Sequence, residues 1–193
     1  MKLAVAMIIF SLVLIAFRAF GALDGWFLQN FSPFVALIFC GALYRKVIPW
    51  LLPVVFGAWV LSSPLVSWLQ GYEVMTAGFF LSLASFGLIL AGAWRIQRPS
   101  WLNTLGGTLV AASVFYLVTN TGCFLLDPLY SKTWLGLKQA LWSGPEGSMV
   151  PTWAFFRNSL VSSLLFSSTL AFSLGLSFDR KEQIGLASLT KVS

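Results

Sequence analysis

The sequence predicts an all-α, polytopic integral membrane protein: a six-helix transmembrane bundle with a short second segment and an amphipathic helix on its outer surface. Three observations predict it. The 193 residues are 58% hydrophobic and only 9% charged, with mean hydropathy +0.86, whereas a soluble domain carries about 25% charged residues. Too few charges remain to cover a surface facing water, so the excess apolar surface needs lipid as its solvent. Apolar stretches recur six times, and the basic residues between them fall on alternate connections.

The stretches run over 3–23, 31–44, 47–68, 74–94, 102–126 and 150–178, in a chain read as one transmembrane domain over 1–193. Five reach or approach the ~20 residues that cross ~30 Å of hydrocarbon. The second is short. It reads either as a tilted, partly re-entrant segment shielded by its neighbours or as a span that begins in the preceding loop. Lipid excludes exposed loops and strand edges, so each stretch is predicted helical. Lys2 before an apolar run also suits a signal peptide, but the run continues past Arg18 without a small-x-small cleavage site, so it is read as the first span.

Orientation follows from the cations. With a cytoplasmic N-terminus, the inner side holds Lys2, Arg45, Lys46, Arg95, Arg98, Arg180, Lys181 and Lys191, and the outer side only Lys132 and Lys138. Asp24, Glu73, Asp127 and Glu146 lie outside; Asp179 and Glu182 lie inside. Both termini are therefore expected in the cytoplasm, and the protein in the cell inner membrane. Trp26, Trp50, Trp68, Trp94, Trp101 and Trp153 sit near proposed helix ends, where amphipathic rings prefer the interface.

The outer connection 127–149 carries Tyr130, Trp134, Leu137 and Leu141 at helical spacing. This predicts an amphipathic surface helix, ended by Ser143, Gly144 and Pro145. It either seals the bundle or forms a lid over a pocket, with Tyr130 and Trp134 as the lid residues.

Polarity inside the spans points to a site, because charge in lipid is costly unless paired or wet. Arg18 and Arg157 are expected at similar depth on the outer side. Asn30 and Ser32 of the second segment, Thr119, Asn120 and Thr121 of the fifth, and Asn158 of the sixth lie near that level. One reading has the arginines snorkelling and the amides bonding between helices. The other is a polar pocket open to the outside, in which Arg157 meets Asn120. A guanidinium pair without an intramembrane acid favours a carboxylate, a phosphate or electron-rich carbonyls.

What is missing narrows the mechanism. The chain has no His, so the His-based catalytic sets have no members, and no span core offers an acid for a proton relay. Leu105-Gly106-Gly107-Thr108 is too short for a phosphate loop. Cys40 and Cys123 are read as small apolar residues rather than a disulfide. No enzyme activity, metal, cofactor or nucleic-acid partner is expected.

Several strings carry a resemblance: Asn30-Phe31-Ser32-Pro33 with Ala36-Leu37 and Gly41-Ala42-Leu43; Phe115-Tyr116-Leu117-Val118-Thr119-Asn120-Thr121-Gly122; Tyr130, Gly136-Leu137 and Pro151; and Phe155-Phe156-Arg157-Asn158-Ser159-Leu160. Over about residues 16–175 the chain resembles an uncharacterised family of small bacterial multi-pass membrane proteins. In size, helix number and topology it is also similar to the S components of energy-coupling-factor transporters. That likeness implies a solute site near the outer face, a membrane coupling protein and a partner ATPase. The Ala-x-x-x-Ala docking spacing of S components is missing from the first helix, where Ala4, Ala6, Ala16 and Ala19 stand. The sequence thus supports a membrane-embedded subunit that binds a small anionic or polar solute. The alternative is a non-transport scaffold or assembly protein, suggested by the small residues in the spans, such as Gly87 to Gly92.

Overall fold

A computed structural model describes residues 2–23 and 29–175. Among them the chain is helical throughout, with no strand. The helices are α1 (Lys2–Leu23), α2 (Phe34–Leu43), α3 (Leu51–Gln70), α4 (Ala77–Arg95), α5 (Trp101–Leu126), α6 (Trp134–Lys138) and α7 (Thr152–Ser173), with a π-helical turn at Gln139–Ser143 continuing α6. The charged positions 179–182 and Lys191, the end of the sixth stretch, and Asp24 and Trp26 lie outside the described residues.

Four helices, α1, α3, α4 and α5, are long and apolar enough to cross a membrane. Of the six expected spans these four are shown, and the second and sixth are not. At 10 residues, α2 reaches only about 15 Å, half the hydrocarbon thickness. The 22 residues of α7 are long enough, but serines dilute their hydropathy.

α2 is the centre of the molecule. Every one of its residues is buried, and α3, α4, α5 and α7 all pack on it. A helix apolar on all sides belongs in such an interior. Its closest neighbour is the first turn of α3: a Cβ on Gly41 would lie 2.9 Å from Leu52 Cα. α1 is peripheral. It packs along α3 through Phe10 against Trp50 and reaches α7 through Phe17 and Phe166.

The interior faces of the long helices are not greasy. Ser62, Ser63, Ser85, Thr104, Thr108, Ser159, Ser162 and Ser167 are buried, while Leu61, Leu88, Val110, Val161 and Leu165 face outward. Small hydroxyl residues let helices approach closely in lipid, and most of these return their hydrogen to the preceding turn. Ser85 Oγ donates to the Leu81 carbonyl at 2.7 Å and Thr108 Oγ1 to the Thr104 carbonyl at 2.6 Å.

One end of the bundle is basic. Arg45 donates to the carbonyls of Ala42 and Trp94, closing the end of α2 onto the end of α4. Tyr44, buried, hydrogen-bonds Thr104 on α5, and Asn103 donates to the Arg98 carbonyl. At the other end Gln70 of α3 donates to the Ala22 carbonyl of α1.

The expected surface helix is corrected in its extent and its face. Thr133 caps α6 by accepting from the Gly136 N–H, so the helix starts after Tyr130 and excludes it. Gly136 and Ala140 are the buried positions, whereas Trp134 is 83% exposed. The packing face is thus built of small residues four apart, because a Cβ at Gly136 would fall 1.9 Å from the Ser131 carbonyl oxygen. The segment ends at Gly144, whose φ of 82° favours glycine.

Candidate functional site: a cavity above a half-length helix

α2 fills the basic half of the bundle and stops at mid-depth. Above its first turn, towards the opposite end, the long helices enclose a cavity of about 430 Å³. Phe34 and Val35 of α2 line it, and Gln70 and Tyr72 line it where α3 ends. A hollow of about 600 Å³ adjoins it beneath the α3–α4 connection, bordered by Val74, Thr76 and Asp127. The two share Arg18, Trp59, Tyr72, Gly78, Ser82 and Cys123.

The turn before α2 sets the cavity's depth. Asn30 adopts φ 60°, a left-handed conformation that Asn tolerates better than most residues. The following residues are held by α7. Asn158 Nδ2 donates to the Gln29 carbonyl at 3.0 Å. Ser162 Oγ donates to the Ser32 carbonyl at 3.1 Å and accepts from the Ser32 N–H at 3.3 Å. Residues 158 and 162 are four apart and so share one face of α7.

Arg18 enters from α1. Its Nη1 donates towards the Trp59 carbonyl at 2.7 Å, Ser62 Oγ at 2.7 Å and Ser63 Oγ at 3.0 Å. The guanidinium lies over the rings of Trp59 and Phe34, at 5.2 and 5.8 Å. Pro64, inside α3, removes one helical hydrogen bond next to this docking turn. No carboxylate pairs with Arg18 among the described residues, and its Nε and Nη2 have no hydrogen-bond partner among them.

Aromatic rings form the walls. Trp59 stacks on Phe79 at 5.1 Å and meets Phe86 edge-on at 5.1 Å, and Phe86 stacks on Phe115 at 5.4 Å. Phe17, which lies against Phe31 at 6.1 Å, lines the cavity with it.

Of the residues singled out from sequence, Arg18, Asn30, Ser32, Thr119 and Asn120 line this cavity. Asn120 Nδ2 donates to the Tyr116 carbonyl, and Thr119 Oγ1 to that of Phe115. Asn158 is buried and holds the turn from α7. Arg157 is elsewhere. It is exposed, donates to Asn158 Oδ1 at 3.1 and 3.3 Å, and lies 5.3 Å over the Trp153 ring. It shares a face with outward-facing Val161 and Leu165, so the expected contact with Asn120 does not form. Tyr130 and Trp134 line neither hollow; α6 sits beside α5, and the π-helical turn that continues it packs on α5 and α7, where Tyr116 donates to the Leu141 carbonyl. Burial pushes the Tyr130 phenol above its ordinary value, with Cys123 and Asp127 adding to it, so it stays neutral at physiological pH. Sequence reasoning missed Trp59, Ser62 and Ser63. The Ser-Ser-Pro run inside an apolar stretch was the available signal.

Long apolar helices wrapped around a buried half-helix, with a polar and aromatic cavity above it, define a multi-pass membrane protein. No curated protein and no solved structure matches this chain. A family model, DUF6580, a family of unknown function, matches residues 1–183, and the chain belongs to that family.

Proposed function

We propose that this protein is a membrane-embedded binding subunit for a small polar or anionic solute, comparable to the S component of an energy-coupling-factor transporter and energised by a partner ATPase. The observation that supports it most is the cavity above α2, with Arg18 held on one side and open on the other. Its volume lies in the range of small-molecule sites, which are concave, mostly apolar and carry a few placed polar groups. In this reading α2, with the turn before it, and α7 complete six membrane segments. The basic end faces the cytoplasm, as cations near transmembrane ends do, which puts both termini inside and the cavity mouth outside, in the cell inner membrane. The sequence supplies no ATP site, so energy comes from a membrane coupling protein and its ATPase.

A thermal-shift screen of the purified protein against small metabolites tests the binding. A solute at 100 times its dissociation constant adds ~2.7 kcal/mol; silence across a broad panel contradicts the proposal. One observation favours the scaffold reading instead: α1 packs mainly along α3 and leaves Leu3, Ile8, Ile9 and Leu12 exposed. A stable crosslinked partner on α1, with no solute flux in reconstituted vesicles, would support it.

A further inference from the structure

We propose that the cavity takes a planar aromatic or heteroaromatic solute bearing a single carboxylate. This rests on the reading of the cavity as a solute site, and names the chemistry that fills it. Charge comes first. Arg157 lies outside the cavity, so Arg18 is the one cation lining it among the described residues. One guanidinium matches one negative charge. With Nη1 tied to α3, the remaining edge, Nε and Nη2, presents two parallel N–H groups. That edge fits the two oxygens of a carboxylate, and pairing there relieves a charge that lipid would otherwise leave costly.

Shape comes second. The rings of Trp59, Phe86, Phe115, Phe17 and Phe31 all line the cavity. Aromatic faces prefer offset-stacked or edge-on ring partners, so a flat ring gains more between them than a saturated ring of equal size. The amide of Asn120 also lines the cavity and offers a hydrogen-bond partner for a ring heteroatom.

The test uses the full chain in phosphatidylcholine nanodiscs, with affinity read from the concentration dependence of thermal stabilisation. The probes are benzoate, indole-3-carboxylate, cyclohexanecarboxylate, benzamide and inorganic phosphate. Benzoate and indole-3-carboxylate are expected to bind about tenfold tighter than the saturated, neutral and inorganic probes. Arg18→Lys, which keeps the charge and loses the fork, is expected to weaken the aromatic carboxylates about tenfold while leaving benzamide unchanged. Arg18 also ties α1 to α3, so Phe115→Leu provides a second variant: it keeps the anion site and removes the preference for benzoate over cyclohexanecarboxylate. Equal binding of cyclohexanecarboxylate, benzamide or phosphate overturns the ligand class while leaving a solute site standing. Stabilisation by phosphatidylglycerol in the nanodiscs, with none by benzoate, assigns Arg18 to a lipid headgroup and overturns the proposal. No response to any probe also overturns it, and only a silent broad screen extends that failure to solute binding itself.

Discussion

Ser162 on α7 bridges both backbone groups of Ser32, accepting from its N–H at 3.3 Å and donating to its carbonyl at 3.1 Å. This pair fixes where α2 begins, and so where the cavity has its floor. Ser162→Ala leaves both Ser32 groups without that partner and should cost about 0.6–2 kcal/mol of stability. Its neighbour is the control: Ser163 Oγ is buried with no hydrogen-bond partner among the described residues, so Ser163→Ala should be neutral or stabilising. Thermal unfolding of the two variants in one detergent decides it; equal losses would show that the Ser32 grip is not what Ser162 contributes.

The closeness of α2 and α3 gives a second expectation. Gly41→Ala sets a Cβ 2.9 Å from the Leu52 Cα, where backbone must move, at about 1–3 kcal/mol. Gly57→Ala meets nothing within 4 Å and should cost nothing. A Gly41→Ala protein as stable as the parent would mean that α2 does not seat against α3 in this way.

The two arginines should separate cleanly. Arg157→Ala, at an exposed position, should change stability within about 0.5 kcal/mol and leave solute binding intact. Arg18→Ala removes the bonds to Trp59, Ser62 and Ser63 and should cost about 1.5–3 kcal/mol and abolish binding of anionic solutes. Ligand-dependent melting curves of both variants test this; a binding loss in Arg157→Ala would return that residue to the site.

Depth was legible in the sequence, but direction was not. Apolar run lengths located the long helices, and the shared depth of Arg18, Asn30, Ser32, Thr119 and Asn120 anticipated their meeting in one cavity. Which way a side chain points depends on the helix face, and in lipid the usual rule inverts: serines turn in and leucines turn out. On α7 the stripe Ser159, Ser162, Ser163 and Ser167 marks the buried face, and Arg157 belongs to the opposite stripe with Val161 and Leu165. That spacing is in the sequence, and depth alone overlooked it. The lid failed for a related reason: a cap at Thr133 starts α6 too late to include Tyr130, and its small residues turn Trp134 away.

Topology has its own test. Reporter fusions at 45–46 and 95–98 should report the cytoplasm, and fusions at 71–76 and 127–149 the opposite side. A cytoplasmic signal from 71–76 would break the proposed order of spans.

The most direct measurement of the central claim uses a native side chain. Cys123 of α5 lines both hollows, while Cys40 is buried within α2. In right-side-out vesicles, a membrane-impermeant methanethiosulfonate should modify Cys123 and leave Cys40 untouched, and a solute found to stabilise the protein should slow that reaction. A Cys123 that no water-borne reagent reaches, or whose rate ignores every stabilising solute, would contradict a solute-binding cavity above α2.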